Sequence, residues 1–218
     1  VVMTQEEVST VLSLMQGVPQ LMAKLLYGGG LRLMEVIRLR VKDLDFAMKQ
    51  IIVRAGKGDK DRYTILPDGL MSDLQDQLTR VKVLHDKDLA EGHGAVYMPD
   101  LMAKKYPKAA KEFAWQYVFP ARKTSLDPRS NIVRRHHVGP SILEKAIRRA
   151  VVEAGINKGV TTHTFRHSFA THLLQSGTDI RTIQSLLGHT SLETTMVYTH
   201  ILKQGGFGVK SPLDKLNQ

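Results

Sequence analysis

The sequence points to a mainly helical single domain carrying a small antiparallel β-sheet on one edge (α+β). Three observations support that architecture. Apolar residues recur at helical spacing through most of the chain. Two short runs rich in β-branched and aromatic residues, 51–54 and 62–66, flank a glycine-rich tip in the manner of a hairpin. With 218 residues, 42% hydrophobic and 24% charged, the chain suits one sizeable core.

The first helix starts at Thr4, where Thr4-Gln5-Glu6-Glu7 forms a capping box, and Val8, Val11, Leu12 and Met15 follow on helical spacing. A second begins near Pro19 and ends at Gly28-Gly29-Gly30, where glycine can take the left-handed conformation that closes a helix. A short third helix covers 33–39. The hairpin tip, 55–61, carries Lys57. Pro67-Asp68-Gly69 then turns the chain into a long helix over 69–89. Between 90 and 120, Gly92, Gly94, Pro99 and Pro107 break the pattern before a short helical stretch over 108–115 that ends on the lone tryptophan, Trp115. This segment reads as an inserted element lying on the surface. A basic stretch over 122–137 follows, with Asp127 its only acid. Further helices are expected over 141–153, 163–175, 179–187 and 192–201. The tail, 205–218, opens on glycines and ends in an amphipathic scrap too short to stand alone.

Charge narrows the function. Thirty-one Lys plus Arg against 21 Asp plus Glu give a net +10, which favours a polyanionic partner. No apolar run approaches the roughly 18 residues of a membrane span, and no signal-peptide pattern opens the chain, so a cytoplasmic or nucleoid location is expected. The absence of cysteine rules out disulfides, thiolate metal sites and a cysteine nucleophile. Because Val1 stands almost directly before a capped helix, the chain is expected to be the C-terminal domain of a longer protein.

The chemistry gathers in a few places. His163 and Arg166 share one helix face and can grip one anion together. Arg32 follows Gly30-Leu31 at a helix start, where backbone N–H groups already favour an anion, although an ordinary surface arginine would look the same. Glu35, one turn on, would buttress Arg32. Lys57 at the hairpin tip could protonate a leaving oxygen, with Lys60 an equal competitor. His163 and His167 stand at i, i+4, but the zinc version of that spacing needs a glutamate where Thr164 stands, so no metal site is expected. His167 is read as a supporting residue. His189 projects from the turn made by Gly188, and Tyr198 falls in the next helix, where a tyrosine is by default a packing residue. Arginines, histidines and a tyrosine without an acidic cluster suit a phosphodiester, with Tyr198 attacking phosphorus.

Taken together, Gly30-Leu31-Arg32-x-x-Glu35, Gly56-Lys57-Gly58, His163-x-x-Arg166, Leu187-Gly188-His189 and Tyr198 resemble the tyrosine site-specific recombinases of the λ-integrase type. The likeness spans nearly the whole chain and is greatest to integron integrase catalytic domains, whose extra element is similar to 90–120 with Arg134-Arg135-His136-His137. It implies the tyrosine-recombinase (phage-integrase) catalytic domain fold over 1–218, without the family's N-terminal DNA-binding domain. It further implies an enzyme: a DNA strand-transferase that recombines sites through a 3′-phosphotyrosyl intermediate without metal, ATP or other cofactor, moving integron gene cassettes. Arg32, Arg166 and His163 would hold the phosphate, His189 would add a hydrogen bond, Tyr198 would attack, and Lys57 would protonate the leaving oxygen.

The implied partners are DNA, as duplex and as folded single strands, and other copies of the chain in a tetramer. Neither a membrane nor a small-molecule ligand is expected, and the tail over 205–218 would contact a neighbouring protomer. In the insertion, Lys104, Lys105, Lys108 and Lys111 would follow the DNA backbone. Trp115 or Tyr106, with His136 and His137, would grip unstacked bases, unless Trp115 only anchors the segment. Arg122, Lys123, Arg134 and Arg135 complete the expected DNA contacts. Other recombinases (phage integrase or chromosome-dimer resolution type), a type IB topoisomerase and a non-catalytic DNA-binding protein are the alternatives.

Overall fold

The computed structural model describes residues 1–54 and 61–199; Lys57, Lys60 and the 205–218 tail lie outside the described residues. Helix α1 (Gln5–Leu14) begins on the expected capping box: Glu7 N–H donates to Thr4 Oγ1, and Thr4 N–H to the Glu7 carboxylate. Helix α2 (Gly17–Gly28) starts ahead of Pro19, which its first turn accommodates because that turn's N–H groups have no helical acceptor. Leu21, Met22, Ala23, Leu25 and Leu26 are all buried, so α2 is apolar around most of its circumference, with only Gln20 and Lys24 on its polar strip, and becomes the centre of the domain. Around it lie α3 (Leu33–Ile37), α6 (Pro140–Glu153) and α7 (Thr162–Gln175).

The sheet runs in the order β1 (Leu44–Asp45), β2 (Gln50–Val53), β3 (Arg62–Ile65), all antiparallel, with Leu44 opposite Ile51 and Val53 opposite Arg62. Two-residue β1 is too short to show alternation and has no sequence signature. Strand β3 inverts the usual pattern. Tyr63 and Ile65 are exposed, whereas Thr64 is buried and donates to the Gly29 carbonyl at 2.7 Å. Arg62 shares the inward face. The polar side of β3 therefore braces the loop between α2 and α3.

Helices α4 (Met71–Ala90) and α8 (Ile180–Leu187), the latter capped by Asp179, follow the prediction closely. Helix α9 (Leu192–Met196), capped by Ser191, is shorter than the expected 192–201: it ends at Met196, and Tyr198 sits in the turn after it, not within the helix. Among the described residues no helix is long and apolar enough to cross a membrane.

The 90–120 segment differs in detail. It contains α5 (Asp100–Lys105), and in place of one helix over 108–115 there are two short 3-10 turns, Ala109–Lys111 and Phe113–Trp115. Extended backbone at Glu112 separates them. Val96, Met98, Ala109 and Tyr117 form a satellite core, against which Met102, Ala110 and Trp115 pack. The segment's end is not peripheral: Val118 and Phe119 are fully buried in the main core, and Val118 N–H donates to the Leu39 carbonyl. The basic stretch after it folds into a second hairpin, β4 (Ser125–Asp127) with β5 (Ile132–Arg134).

Gly30 is where the fold and the site meet. Its φ of +61° is left-handed, and an added Cβ would stand 2.4 Å from the Phe169 ring of α7. Gly30→Ala is expected to cost about 2–3 kcal/mol through strain and overpacking, read as a lowered urea midpoint. An unchanged midpoint would mean that Phe169 yields freely and the close approach is not required.

Candidate active site

Arg166 organises the site. Helix α7 carries it fully inward, 3% exposed, among buried Thr164, Phe165, Ser168 and Phe169. One terminal nitrogen donates to the Gly30 carbonyl at 2.5 Å; the other donates to the Leu187 carbonyl at 2.6 Å and reaches His189 Nε2 at 3.3 Å. Segments far apart in sequence are thus pinned to one side chain. An arginine can only donate, so the facing Nε2 is the bare ring nitrogen. The proton of neutral His189 then sits on Nδ1, which lies 3.0 Å from the hydroxyl of buried Thr195 on α9. Gly188 ends α8 in the left-handed conformation and leaves His189 at the turn, as expected.

Glu35 gathers the cations. Its carboxylate accepts from the Arg32 backbone N–H at 2.7 Å and side chain at 2.9 Å, and from both terminal nitrogens of Arg62 at 2.8 and 2.7 Å. Arg166 lies 3.8 Å away. Burial works to raise the Glu35 pKa, but the Arg62 fork, then Arg32, outweigh it and hold the group at about 2. Burial, then the charge of Arg32, lowers Arg166 to about 10, so it remains charged at neutral pH. Arg32 is the more open of the pair, facing solvent where an anion would arrive.

Tyr198 is buried between two imidazoles. The His189 ring lies parallel to it at 6.4 Å, and the His167 ring is tilted at 5.4 Å. His163, on the exposed side, stands 5.1 Å from His167. Of the two α7 imidazoles it is therefore that of His167 that packs against Tyr198, and His163 packs against His167. Burial raises the Tyr198 pKa, partly offset by Arg166 and Arg32, so the phenol is protonated at neutral pH. Burial, then Arg166, Arg32 and Arg62, press His189 down to about 4, and burial with the charge of His163 lowers His167. Both rings can accept a proton, and neither adds standing positive charge.

The expected DNA contacts divide into two groups. Lys104, Lys105, Lys108, Lys111, Arg122 and Lys123 are exposed. Arg134 and Arg135 are turned inward. Arg135 grips both oxygens of buried Asp88 and the carbonyls of Ala121 and Arg122, while Arg134 donates to the Val96 carbonyl. Trp115 is half-buried on the satellite core, with the Lys42 ammonium over its ring. The His136 and His137 rings lie 4.0 Å apart, tilted by 33°, and edge-on to Tyr117, in the wall of a cavity of about 420 Å³. Burial lowers both pKa values. The same cavity is lined by Arg38, Arg40, Arg54 and Arg129, and it reaches Glu35.

Arg62 and the cavity arginines were not singled out from sequence. No local signal marks Arg62, because the inward turn of Arg62 and Thr64 on β3 shows only once Tyr63 and Ile65 are seen to face out.

Known proteins share the sequence pattern and the fold of this chain. Residues 1–204 match the model of the phage integrase family. The chain is 52% identical over 216 residues to an integrase/recombinase of Escherichia coli, covering 99% of this chain and 64% of the relative. It is 32% identical over 200 residues to tyrosine recombinase XerA of Pyrococcus horikoshii, covering 91% of this chain and 56% of that one. The chain thus spans less than two thirds of these curated relatives. The crystal structure of XerA recombinase superposes with a TM-score of 0.62 at 30% identity, covering 92% of this chain and 60% of that chain. XerH bound to its palindromic difH substrate, at 24% identity and a TM-score of 0.62, shares the fold over 93% of this chain and 50% of its own.

The depressed Glu35 pKa fixes a pH dependence. Its stabilisation is full above the ordinary value of 4.5 and is lost as pH falls through about 2. Glu35→Gln should therefore be less stable at neutral pH and flatten the acid limb of stability by up to about 3 kcal/mol. Urea unfolding between pH 6 and 2 measures this; parallel curves for the two proteins would refute it.

Proposed function

The chain belongs to the phage integrase family of tyrosine recombinases, and we propose that it cleaves and rejoins DNA strands at specific sites through a 3′-phosphotyrosyl intermediate. The observation that carries this reading is the anchoring of Arg166, which draws the Arg32 turn and the His189 turn together beside Tyr198. In the proposed reaction the Tyr198 oxygen bonds to phosphorus and the bond to the 5′ oxygen breaks. The phenol proton passes to an imidazole: His163 by resemblance, with His167 the nearer ring. Lys57, or its neighbour Lys60, supplies the proton for the leaving oxygen.

Arg32 and Arg166 hold the non-bridging oxygens with His163, and His189 hydrogen-bonds in the same cluster. Each well-placed donor is worth about 3–4 kcal/mol in the transition state. Charge building on those oxygens counters the arginine charges that add to burial in holding the His189 pKa down, so its proton affinity rises as the reaction proceeds. One phosphodiester is exchanged for one phosphotyrosyl ester and back, so the bond energy is conserved and no ATP is consumed. The cationic donors take the part that a metal would otherwise play.

Residues 1–218 are read as a catalytic domain acting on DNA within a homotetramer, in the cytoplasm at the nucleoid, with the 205–218 tail reaching a neighbouring protomer. For the substrate, we favour integron cassette sites, both duplex and folded single strands with unpaired bases. The support is the pair of close, tilted rings of His136 and His137, with Tyr97 and Tyr117, in an arginine-lined cavity adjoining Glu35. Rings with lowered pKa values suit base stacking, while the arginines suit the backbone. Trp115, under Lys42, serves the same surface from the satellite core. Phage integrase and chromosome-dimer resolution types remain the alternatives within the family.

Covalent trapping tests the reading. The protein, in EDTA, is expected to form an SDS-stable adduct with a nicked suicide oligonucleotide, mapped to Tyr198; Tyr198→Phe should bind DNA and form none. An adduct in that variant would place the nucleophile elsewhere, and binding without any adduct would favour a non-catalytic protein. His137→Ala should weaken binding to a bulged hairpin about tenfold more than to plain duplex. Equal losses on the two would remove the folded-strand reading and leave the recombinase reading intact.

A further inference from the structure

Arg62 does work at this site that its exposure does not advertise. Its two terminal nitrogens close on the two Glu35 oxygens, and its Nε donates to the Leu186 carbonyl at 3.0 Å. Its arm passes beneath Gly188, where an added Cβ would stand 2.5 Å from Arg62 Cδ. Arg166 takes the next carbonyl, that of Leu187. The last carbonyls of a helix have no partner within it, so two guanidiniums from different parts of the chain close the end of α8, immediately before His189. Through Glu35 the same fork touches Arg32, whose backbone and side chain share that carboxylate. Arg62 is 14% exposed where Arg32 is 45% exposed, so Arg32 meets an incoming anion and Arg62 does not.

Resting on the recombinase reading above, we propose that Arg62 is a positioning residue: its fork, closed on Glu35 and on the Leu186 carbonyl, sets Arg32 and His189 at the spacing that a phosphate requires. A lysine keeps the charge but offers a single nitrogen, which cannot span a carboxylate and a carbonyl in two directions. Displacements of about 1 Å in such a site cost on the order of a hundredfold in rate.

Arg62→Lys is the test, in single-turnover adduct formation at saturating DNA. The rate constant is expected to fall about 10- to 100-fold, with the DNA Kd within about twofold of wild type and the fraction of active protein unchanged. Combined with Glu35→Gln, it should be no slower than the slower single variant, because the two act through one contact. Glu35→Asp, which withdraws the carboxylate from the fork, should slow the reaction in the same way. A wild-type rate in folded Arg62→Lys overturns the proposal. So does a Kd that rises as much as the rate falls, which would make Arg62 a DNA contact, and so do rate losses that multiply. If the wild-type protein forms no adduct, the recombinase reading fails by itself, and nuclear magnetic resonance of the free protein decides on Arg62. The Gly188 amide and His189 ring resonances should then move in Arg62→Lys and stay fixed in Lys24→Met; unmoved resonances in both overturn the proposal.

Discussion

A guanidinium buried as deeply as that of Arg166 costs several kcal/mol unless its N–H groups find acceptors. The acceptors here are mostly backbone carbonyls, of Gly30 and Leu187, with Glu35 only at the edge of ion-pair distance. Satisfying hydrogen bonds with neutral groups leaves the charge largely uncancelled. It also dictates the fold nearby: Gly30 must approach α7 closely, and α8 must end where its carbonyl can be reached. Arg166 thus acts as a strut and as a reservoir of positive potential at once.

The other groups of the site take their properties from that potential. Three arginines around one carboxylate leave an excess of positive charge, which adds to burial in keeping His189 neutral, while Arg166 and Arg32 partly offset the effect of burial on Tyr198. In the free protein the tyrosine remains a protonated, packed side chain, chemically quiet. An arriving phosphate would supply the missing anion, and the proposed reaction uses the field already in place. Preorganised charge of this kind needs no rearrangement when the transition state forms.

Beside this centre, the segment leading to Phe119 adds a second surface. Its satellite core is joined to the main core through Val118 and Phe119, and Arg135 with Asp88 fastens the following hairpin to α4. The cavity with His136 and His137 is therefore built on fixed supports and adjoins the arginine cluster at Glu35. Aromatic and cationic groups are held there by packing and ion pairs remote from any bound strand.

Much of this protein was written locally in its sequence. The Thr4–Glu7 capping box, the glycine turn at Gly28-Gly29-Gly30, the hairpin strands and the helix stop at Gly188 each depend on neighbours a few residues away, so spacing revealed them; the series from Arg32 to Tyr198 was legible only as a resemblance to a family. What spacing could not reveal were choices of distant partner. Arg62 and Thr64 face inward because they find Glu35 and Gly29, which inverts the alternation that a half-buried strand normally shows. Arg135 looks like a surface cation until Asp88 is brought against it, and Trp115 is a candidate stacking residue until the satellite core claims one side of it. The order of the rings, with His167 between His163 and Tyr198, likewise depends on how α7 lies against the chain after α9. Local propensity acts over one or two turns, whereas a buried polar group is stable only when the whole chain delivers its counterpart, and that delivery exists only once the domain has closed.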